Sequence, residues 1–464
     1  MRNLWRTTAS FSPAARLLMA NQFAINLAFY MLMPYLAAHL AGELGLAAWA
    51  VGLVLGVRNL SQQGMFLVGG TLADRFGYKA PIIAGCLLRT GGFALLGWAG
   101  TLPALIVASA ATGLAGALFN PAVRAYLAAE ARDRRVEAFA AFNVYYQAGM
   151  LVGPLVGLAL LAGDFRLVCG AAAAVFAVLT VLQIRALPPR GPGCAAPAPG
   201  GGGVWAQWRT VAGNRPFLLF SAAMIGSYVL TFQVYLALPL AAGAVLGAQA
   251  AAATSGLFVV SAAVTVAGQL RLTGWAQHRY TSHQVLVAGP AVMGTAFVPL
   301  ALAPPGRPGA QLAALVAAVA LLALGGALVY PVEMDTVVAL SGGRLVATHY
   351  GLYNTVSGLG ITVGNLGTGA LWDYAAAHHA QWLVWTALAA TGTACAAAVA
   401  ALITEATFER AAKRLQDNKR FASRNSKIPS LLQGLSACVS CGYGYYRTST
   451  TTSSGKKIYY YRCL

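Results

Sequence analysis

Gly69-Gly-Thr-Leu-Ala-Asp74-Arg-Phe-Gly77-Tyr-Lys79 is a short polar stretch that lies between two long apolar ones. An apolar run of about 20 residues can cross the roughly 30 Å hydrocarbon core of a bilayer. The polar stretch therefore predicts a tight loop at a membrane surface, where glycines let the chain turn sharply and approach a neighbour closely. Asp74 puts a carboxylate at that surface, where it can accept hydrogen bonds from the N–H groups that open a neighbouring helix.

Similar apolar stretches recur along the whole chain on both sides of this loop. Of the 464 residues, 58% are hydrophobic and only 9% are charged, whereas soluble domains carry about 25% charged residues. This composition argues against a soluble enzyme and indicates a polytopic membrane protein. Because no water solvates the backbone inside a bilayer, we expect the apolar stretches to be α-helices. The sequence predicts an all-α membrane protein with twelve transmembrane helices, near residues 17–38, 51–72, 81–99, 103–127, 139–162, 166–187, 216–241, 251–272, 284–303, 311–340, 345–371 and 382–403.

Basic residues are distributed unevenly between the two sets of loops. The loops on one side of the predicted membrane contain only two basic residues, Arg166 and Arg307. By the positive-inside rule, the other side, which holds both termini, is cytoplasmic. We therefore expect a multi-pass protein of the bacterial inner (plasma) membrane with both termini in the cytoplasm. The basic residues on the terminal side are Arg2, Arg6, Arg16, Arg75, Lys79, Arg132, Arg134, Arg135, Arg185, Arg190, Arg209, Arg215, Arg271, Arg279 and Arg344.

Motifs of the first half recur in the second half in the same order and at nearly the same spacing. For example, Tyr30-Met-Leu-Met-Pro34 recurs as Tyr235-Leu-Ala-Leu-Pro239, and Gly116–Pro121 recurs as Gly326–Pro331. Two parallel six-helix repeats indicate a binding site at the midplane between them. The predicted organisation is a six-helix bundle over 1–187, a cytoplasmic Pro/Gly-rich linker over 188–215, a second six-helix bundle over 216–404 and a basic cytoplasmic tail over 405–464.

The Gly69–Lys79 loop resembles the signature loop G-x-L-a-D-r-x-G-r-k of the major facilitator superfamily. Residues 1–404 as a whole resemble the twelve-span drug:proton antiporters of that superfamily, most closely the MdtH type. The resemblance implies that Asp74 contacts the start of span eleven, near Arg344–Thr348, and latches the halves together on the cytoplasmic side. It assigns the latch to Gly70, Asp74, Arg75, Gly77 and Lys79.

Span five contains Gly149-Met-Leu-Val-Gly153-Pro154-Leu-Val-Gly157, which resembles a motif of the antiporter branch. Small residues at this spacing form a smooth stripe on which another helix can pack closely, and Pro154 removes one internal hydrogen bond. The resemblance implies an exporter. The alternative is a general glycine-based contact between helices.

Charged residues inside a membrane are costly and usually functional. Away from the ends of the apolar stretches there are five of them: Arg58, Arg89, Arg124, Glu333 and Asp335. Two positions along a helix turn a side chain by about 200°, so the two acids cannot both face one cavity. A buried carboxylate that meets each side in turn can carry a proton, which makes Glu333, Asp335, Arg58 and Arg124 candidates for proton coupling. Alternatively, the acids are interfacial groups that are satisfied by Arg344 or by water.

The resemblance also implies which spans line the substrate cavity. Aromatic rings and neutral amides on those spans offer apolar area and adaptable hydrogen bonding, which suits amphipathic molecules. The candidates for substrate binding are Asn26, Tyr30, Asn143, Tyr146, Gln233, Tyr235, Tyr353 and Asn354.

The tail over 405–464 resembles the zinc-ribbon region of large serine recombinases. The resemblance rests on Cys438-Val-Ser-Cys441, a Thr/Ser/Tyr-rich stretch and Cys463. It implies a small β-ribbon whose thiolates bind zinc. Because no fourth ligand follows, we expect an incomplete zinc site that binds the metal poorly in a monomer.

The function implied for residues 1–404 is export of amphipathic small molecules by a secondary active transporter, coupled to protons by antiport. The expected partners are a small-molecule substrate, protons and the lipid bilayer, and we expect a monomer with no cofactor, no enzymatic activity and no nucleic-acid partner. Two alternatives remain open. One is a carrier or facilitator for a metabolite without proton antiport, which is favoured by Ala20 at the position of an acid in the resembled group. The other is a membrane-tethered protein that binds DNA through its basic tail.

Overall fold

The computed structural model describes residues 2–46, 48–161, 164–188, 203–246, 250–304, 306–402, 446–452 and 457–462. The chain divides into two compact units, Met1–Thr404 and Glu405–Leu464. The helices of the first half are α1 Arg2–Ala9, α2 Pro13–Gly42, α3 Ala48–Phe76, α4 Lys79–Trp98, α5 Leu102–Ala131, α6 Arg135–Leu161 and α7 Phe165–Ala186. Those that follow are α8 Val204–Ala212, α9 Arg215–Ala223, α10 Ile225–Phe232, α11 Ala237–Leu246, α12 Ala250–Arg279, α13 Ser282–Thr295, α14 Val298–Leu302, α15 Pro308–Ser341, α16 Val346–Ala377 and α17 Trp382–Leu402.

Eight segments of the described chain are long and apolar enough to cross a membrane. One of them, Leu102–Leu161, contains both α5 and α6 and so covers two predicted spans. The predicted spans 17–38, 51–72 and 345–371 are helical as α2, α3 and α16. The count of twelve transmembrane helices stays a prediction.

The predicted span 216–241 differs from a single helix. It is divided into α9, α10, a 3-10 turn at Gln233–Tyr235 and the start of α11. Pro239 has no N–H to bond the carbonyl of Tyr235 four residues earlier, and its ring crowds that carbonyl. Leu236 accordingly leaves helical geometry, with φ −127° and ψ −78°. Pro299 acts in the same way on the predicted span 284–303, because its missing N–H coincides with the break between α13 and α14.

The predicted linker over 188–215 contains the helix α8, which the sequence analysis did not anticipate. Its sequence after Gly203 has no further glycine or proline until Gly213, so nothing prevents a short helix there. The indole N–H of Trp208 donates to the hydroxyl of Thr71 on α3 at 2.8 Å. This part of the linker therefore contacts α3 of the first half, and it also packs against α16 of the second half. Residues 189–202 lie outside the described residues.

The two halves approach each other closely at the end of the bundle that carries Asp74, Arg135 and Arg344, which we call the basic end. A methyl group added at Gly70 would overlap the backbone of Ala347, and one added at Gly351 would overlap the backbone of Phe66. Helices α3 and α16 therefore lie backbone against backbone where they cross. Such an approach is possible only where a side chain is absent.

The glycine stripe of span five packs within the first half. A methyl group at Gly149 would press on Phe23 and Asn26 of α2, and one at Gly157 would overlap the backbone of Met31. Pro154 lies inside the continuous helix α6, where its carbonyl accepts a hydrogen bond from the Tyr35 hydroxyl at 2.7 Å. The stripe thus holds α6 against α2.

The second unit contains an antiparallel pair of strands, β1 Tyr446–Thr451 and β2 Lys457–Arg462. Tyr446 pairs with Arg462 at one end of the ladder, and Thr451 pairs with Lys457 at the other. The zinc ligands expected at Cys438, Cys441 and Cys463 lie outside the described residues. The resemblance of the tail to a recombinase zinc ribbon stays a prediction.

The close crossing of α3 and α16 predicts that Gly70→Ala destabilises the protein. Overpacking of this kind typically costs about 1–3 kcal/mol, and we expect a lower Tm for the detergent-solubilised protein. Gly64→Ala is the matched control, because a methyl group at this position of α3 meets no described atom within 4 Å. It should leave the Tm unchanged or raise it slightly, since alanine favours a helix by about 1 kcal/mol over glycine. Equal Tm values for the two variants would show that α3 and α16 do not pack this tightly.

Candidate functional site

A cavity of about 320 Å³ lies between the two halves of the first unit. Both halves contribute polar side chains to its walls. Aromatic rings, such as those of Phe142 and Phe232, also line the walls. Such a mixture of apolar surface and a few convergent polar groups is typical of small-molecule sites. We call this space the central cavity. Its polar lining residues are Gln22, Gln62, Gln63, Asn120, Arg124, Asn143, Tyr146, Gln147, Ser227, Tyr228, Thr231, Ser261, Thr265, Tyr330, Glu333, Asn354 and Ser357.

Two charged side chains, one from each half, face the central cavity. Arg124 of α5 donates from Nη1 to Oδ1 of Asn354 on α16 at 2.8 Å, which joins the two halves. Glu333 of α15 is 4% exposed and accepts a hydrogen bond from the Tyr353 hydroxyl. Among the described residues, neither Arg124 nor Glu333 takes part in an ion pair.

Asp335 is located differently from Glu333, although the two residues are neighbours on α15. It forms an ion pair with Arg135 at the start of α6, so the pair joins the two halves at the basic end. The angular separation of positions 333 and 335 on a helix accounts for this division. The partner of Asp335 is Arg135, not Arg344 as one alternative expected.

Asp74 lies at the crossing of α3 and α16. Its Oδ1 accepts from the backbone N–H of Ala347 at 3.1 Å, and its Oδ2 accepts from the N–H and the hydroxyl of Thr348, both at 2.7 Å. The first N–H groups of a helix have no partner within the helix, and they carry partial positive charge. Asp74 therefore caps α16 across the boundary between the halves.

The other residues assigned to the latch have different surroundings. Gly77 has φ +85°, the left-handed conformation that glycine adopts without strain, and it forms the turn into α4. Lys79 donates from Nζ to the carbonyls of Ile184 and Leu187 at 2.8 and 2.6 Å, so it caps the end of α7 within the first half. Arg75 lies with Cζ 5.9 Å from the ring centre of Phe76. In the described contacts, only Gly70 and Asp74 of this set touch the second half.

Three of the candidates for substrate binding line the central cavity, namely Asn143, Tyr146 and Asn354. Tyr353 is buried behind Glu333, and Tyr30 lies behind Tyr146, with the hydroxyl oxygens 3.3 Å apart.

The side chains of the remaining candidates contact other groups of the protein and do not line the central cavity. The side-chain amide of Asn26 donates to the Gln22 carbonyl at 2.7 Å, and that of Gln233 donates to the Val229 carbonyl at 2.9 Å. The hydroxyl of Tyr235 lies 3.6 Å from Met150 Sδ and interacts with Tyr30 and Tyr146, so Tyr235 lies next to the described cavity lining without being part of it. Arg58, a candidate for proton coupling, lies with Cζ 5.1 Å from the ring centre of Phe29 and also outside the lining.

Several lining residues were not among the candidates predicted from the sequence, including Tyr228, Tyr330 and the pair Gln62-Gln63. A signal for Tyr330 was present, because it precedes Pro331 in the repeat of Asn120-Pro121. Asn120 and Tyr330 occupy equivalent positions in the two halves, and both line the central cavity. Repeat symmetry would have found this pair.

Comparison with known proteins identifies the class of this chain. The family model for the Major Facilitator Superfamily matches residues 18–365, and the chain belongs to that superfamily. The chain is therefore a multi-pass membrane transporter and not an enzyme.

Individual relatives agree with this assignment. An uncharacterized MFS-type transporter of Mycobacterium tuberculosis is 55% identical over 385 residues, which covers 82% of this chain and 91% of the relative. The multidrug resistance protein MdtH of Klebsiella pneumoniae is 29% identical over 389 residues, which covers 83% and 93%. The crystal structure of the Escherichia coli fucose:proton symporter FucP shares the fold, with a TM-score of 0.69 at 15% identity over 84% of this chain and 98% of FucP.

Proposed function

We propose that this transporter exports amphipathic small molecules across the bacterial inner membrane by alternating access and proton antiport. Both termini would lie in the cytoplasm, so that the basic end is the cytoplasmic end. The observation that carries the proposal is a polar cavity between two halves that are held together at the basic end.

Alternating access requires contacts that can break as a group. Asp74 with α16 and Arg135 with Asp335 each join the two halves at the basic end, and the glycine crossing lies beside them. The arrangement corresponds to a state in which the cytoplasmic path is closed. Separating the halves would open that path, at the cost of exposing these groups to water, which can replace their hydrogen bonds.

The lining of the central cavity supports an amphipathic substrate. Neutral amides such as Gln62 and Asn143 can donate or accept hydrogen bonds, and the rings of Tyr146 and Tyr228 provide flat apolar surface. Two relatives carry the name multidrug resistance protein, and this name supports export of drug-like molecules.

Glu333 is the group to which we assign proton coupling. It is buried, lines the central cavity and is held by the hydroxyl of Tyr353. Burial disfavours the charged form of a carboxylate, so a site that meets the acidic side and then the cytoplasm can bind a proton and release it. Asp335 is engaged with Arg135 and is not needed for this step.

A facilitator without proton antiport is the second candidate. It is favoured by Ala20, which is found where the resembled group has an acid in span one. The two candidates differ in one measurable property, because a facilitator needs no proton gradient for net transport down a substrate gradient.

Asp74→Asn is expected to reduce export by about tenfold or more, because an amide offers one acceptor where the carboxylate offers two and loses the charge that favours the helix N-terminus. The measurement is uptake of amphipathic dyes into inverted membrane vesicles, normalised to the amount of inserted protein.

Asp373→Asn is the matched control for this experiment. Asp373 is an exposed acid near the other end of α16, far along the same helix from the latch. Its uptake should match the wild type. Undiminished uptake by Asp74→Asn would contradict the assignment of Asp74 as latch.

Glu333→Gln is expected to remove the dependence of uptake on the pH gradient, since an amide cannot take up and release the proton. Inverted vesicles with an acidified lumen should show stimulated uptake for the wild type and none for this variant. Asp335→Asn should retain the stimulation, because Asp335 faces Arg135 and not the cavity.

An ionophore that collapses the gradient provides the reference rate for all three proteins. If both variants respond to the gradient as the wild type does, the proton path does not pass through α15. If the wild type transports without any response, the facilitator is the better description.

A further inference from the structure

The first half carries an unbalanced positive charge inside its predicted spans. Arg58, Arg89 and Arg124 lie within the apolar stretches of this half. All acids of the first half lie outside those stretches, at Glu43, Asp74, Glu130, Asp133, Glu137 and Asp164. A cation in a medium of low dielectric constant acts over a long distance when no counter-charge is near.

Arg89 is buried against aromatic rings and not against a carboxylate. It is 6% exposed, and its Nε has no hydrogen-bond partner among the described residues. Its Cζ lies 5.5 Å from the ring centre of Phe29 and 5.2 Å from that of Phe176. Arg58 lies over Phe29 as well, with Cζ at 5.1 Å. Ring contacts stabilise a guanidinium but leave its charge in place.

This pair of cations is close to the wall of the central cavity. The ring of Phe29 lies 5.2 Å from that of Tyr30, centre to centre, and the hydroxyls of Tyr30 and Tyr146 are 3.3 Å apart. Tyr146 lines the cavity. Two guanidinium groups with no carboxylate partner among the described residues therefore lie one layer of side chains behind the wall. Charges so placed favour a positive potential inside the cavity.

A third cation is on the wall itself. Arg124 lines the cavity and is held by the neutral amide of Asn354, with no ion-pair partner among the described residues. Glu333 is the carboxylate in the described lining. It accepts hydrogen bonds from Tyr353 and Tyr228, and it is near enough to Arg124 to interact with its charge. One guanidinium group on the wall and two behind it are thus balanced by one carboxylate, and protonation of Glu333 removes the negative charge of the described lining.

We propose that the central cavity takes amphipathic organic anions, with the carboxylate or sulfonate of the substrate at Arg124 and its aromatic body against Tyr146 and Tyr228. This inference rests on the proposed export function and deepens it by naming the charge of the substrate. Arg58 and Arg89 act through their field and not by contact. Amphipathic cations enter the same cavity against a positive potential and are disfavoured.

The test uses three fluorescent molecules that share one apolar body and differ only in the terminal group: 1-pyrenebutyrate, 1-pyrenebutanol and 4-(1-pyrenyl)butylamine. Binding to the purified full-length protein in lipid nanodiscs is measured by energy transfer from tryptophan to pyrene, with empty nanodiscs as the partition background. We expect the butyrate to bind about tenfold or more tightly than the butylamine, with the butanol between them.

Variants separate the contact at Arg124 from general effects of charge. Arg124→Gln should remove most of the preference for the butyrate, and Arg124→Lys should keep a reduced preference because the charge remains while the fork of donors is lost. Arg166→Gln is the matched control, since it removes an exposed arginine at the end of the bundle opposite the basic end. It should leave all three affinities unchanged.

Equal binding of the three molecules, tighter binding of the butylamine, or no saturable binding at all would overturn the proposal. So would a preference that survives Arg124→Gln undiminished. Uptake of the same molecules into inverted vesicles tests the export function separately from the charge of the substrate. Selective binding of the butyrate without its uptake would contradict the export function while supporting the assignment of charge, whereas uptake of the butylamine alone would support export and overturn the assignment.

Discussion

Asp74 accepts three hydrogen bonds from the first residues of α16. In the function we propose, closure of the basic end depends on this contact. The carboxylate comes from one half and the donors come from the other, so the bonds exist only while the halves are together. Gly70 and Gly351 bring the two helices near enough for the carboxylate to reach its donors. Each bond to the carboxylate by itself contributes about 1.5–3 kcal/mol, the range for hydrogen bonds to charged groups. Bonds that form and break together make a two-state element.

The central cavity and the basic end are linked by helices that take part in both. Helix α15 carries Glu333 into the cavity and Asp335 into the ion pair with Arg135. Helix α16 carries Asn354 into the cavity and Thr348 to the latch. A substrate or a proton that changes the position of α15 or α16 therefore changes the strength of the contacts at the basic end. Binding can shift the equilibrium between open and closed states only by its difference in affinity for the two.

Part of this account could be predicted from the sequence, because it depends on local spacing. The loop around Asp74 and the opposed directions of Glu333 and Asp335 follow from a motif and from helical geometry. Other features depend on which helix faces meet in three dimensions. Lys79 caps α7, Arg135 is the partner of Asp335, and Tyr228 lines the cavity, yet no pattern in the chain marks these pairings. In a membrane, faces toward lipid and faces toward the core are both apolar, so hydropathy does not separate them.

The most direct test of the account measures the distance between the halves at the basic end. Spin labels would be attached at Arg132→Cys in the first half and Arg344→Cys in the second, both exposed positions, after replacement of the native cysteines. Pulsed electron resonance on the protein in nanodiscs should give mainly the short distance of the closed state, and Asp74→Asn should move the population to longer distances. The same distance distribution with and without the Asp74 carboxylate would contradict the account.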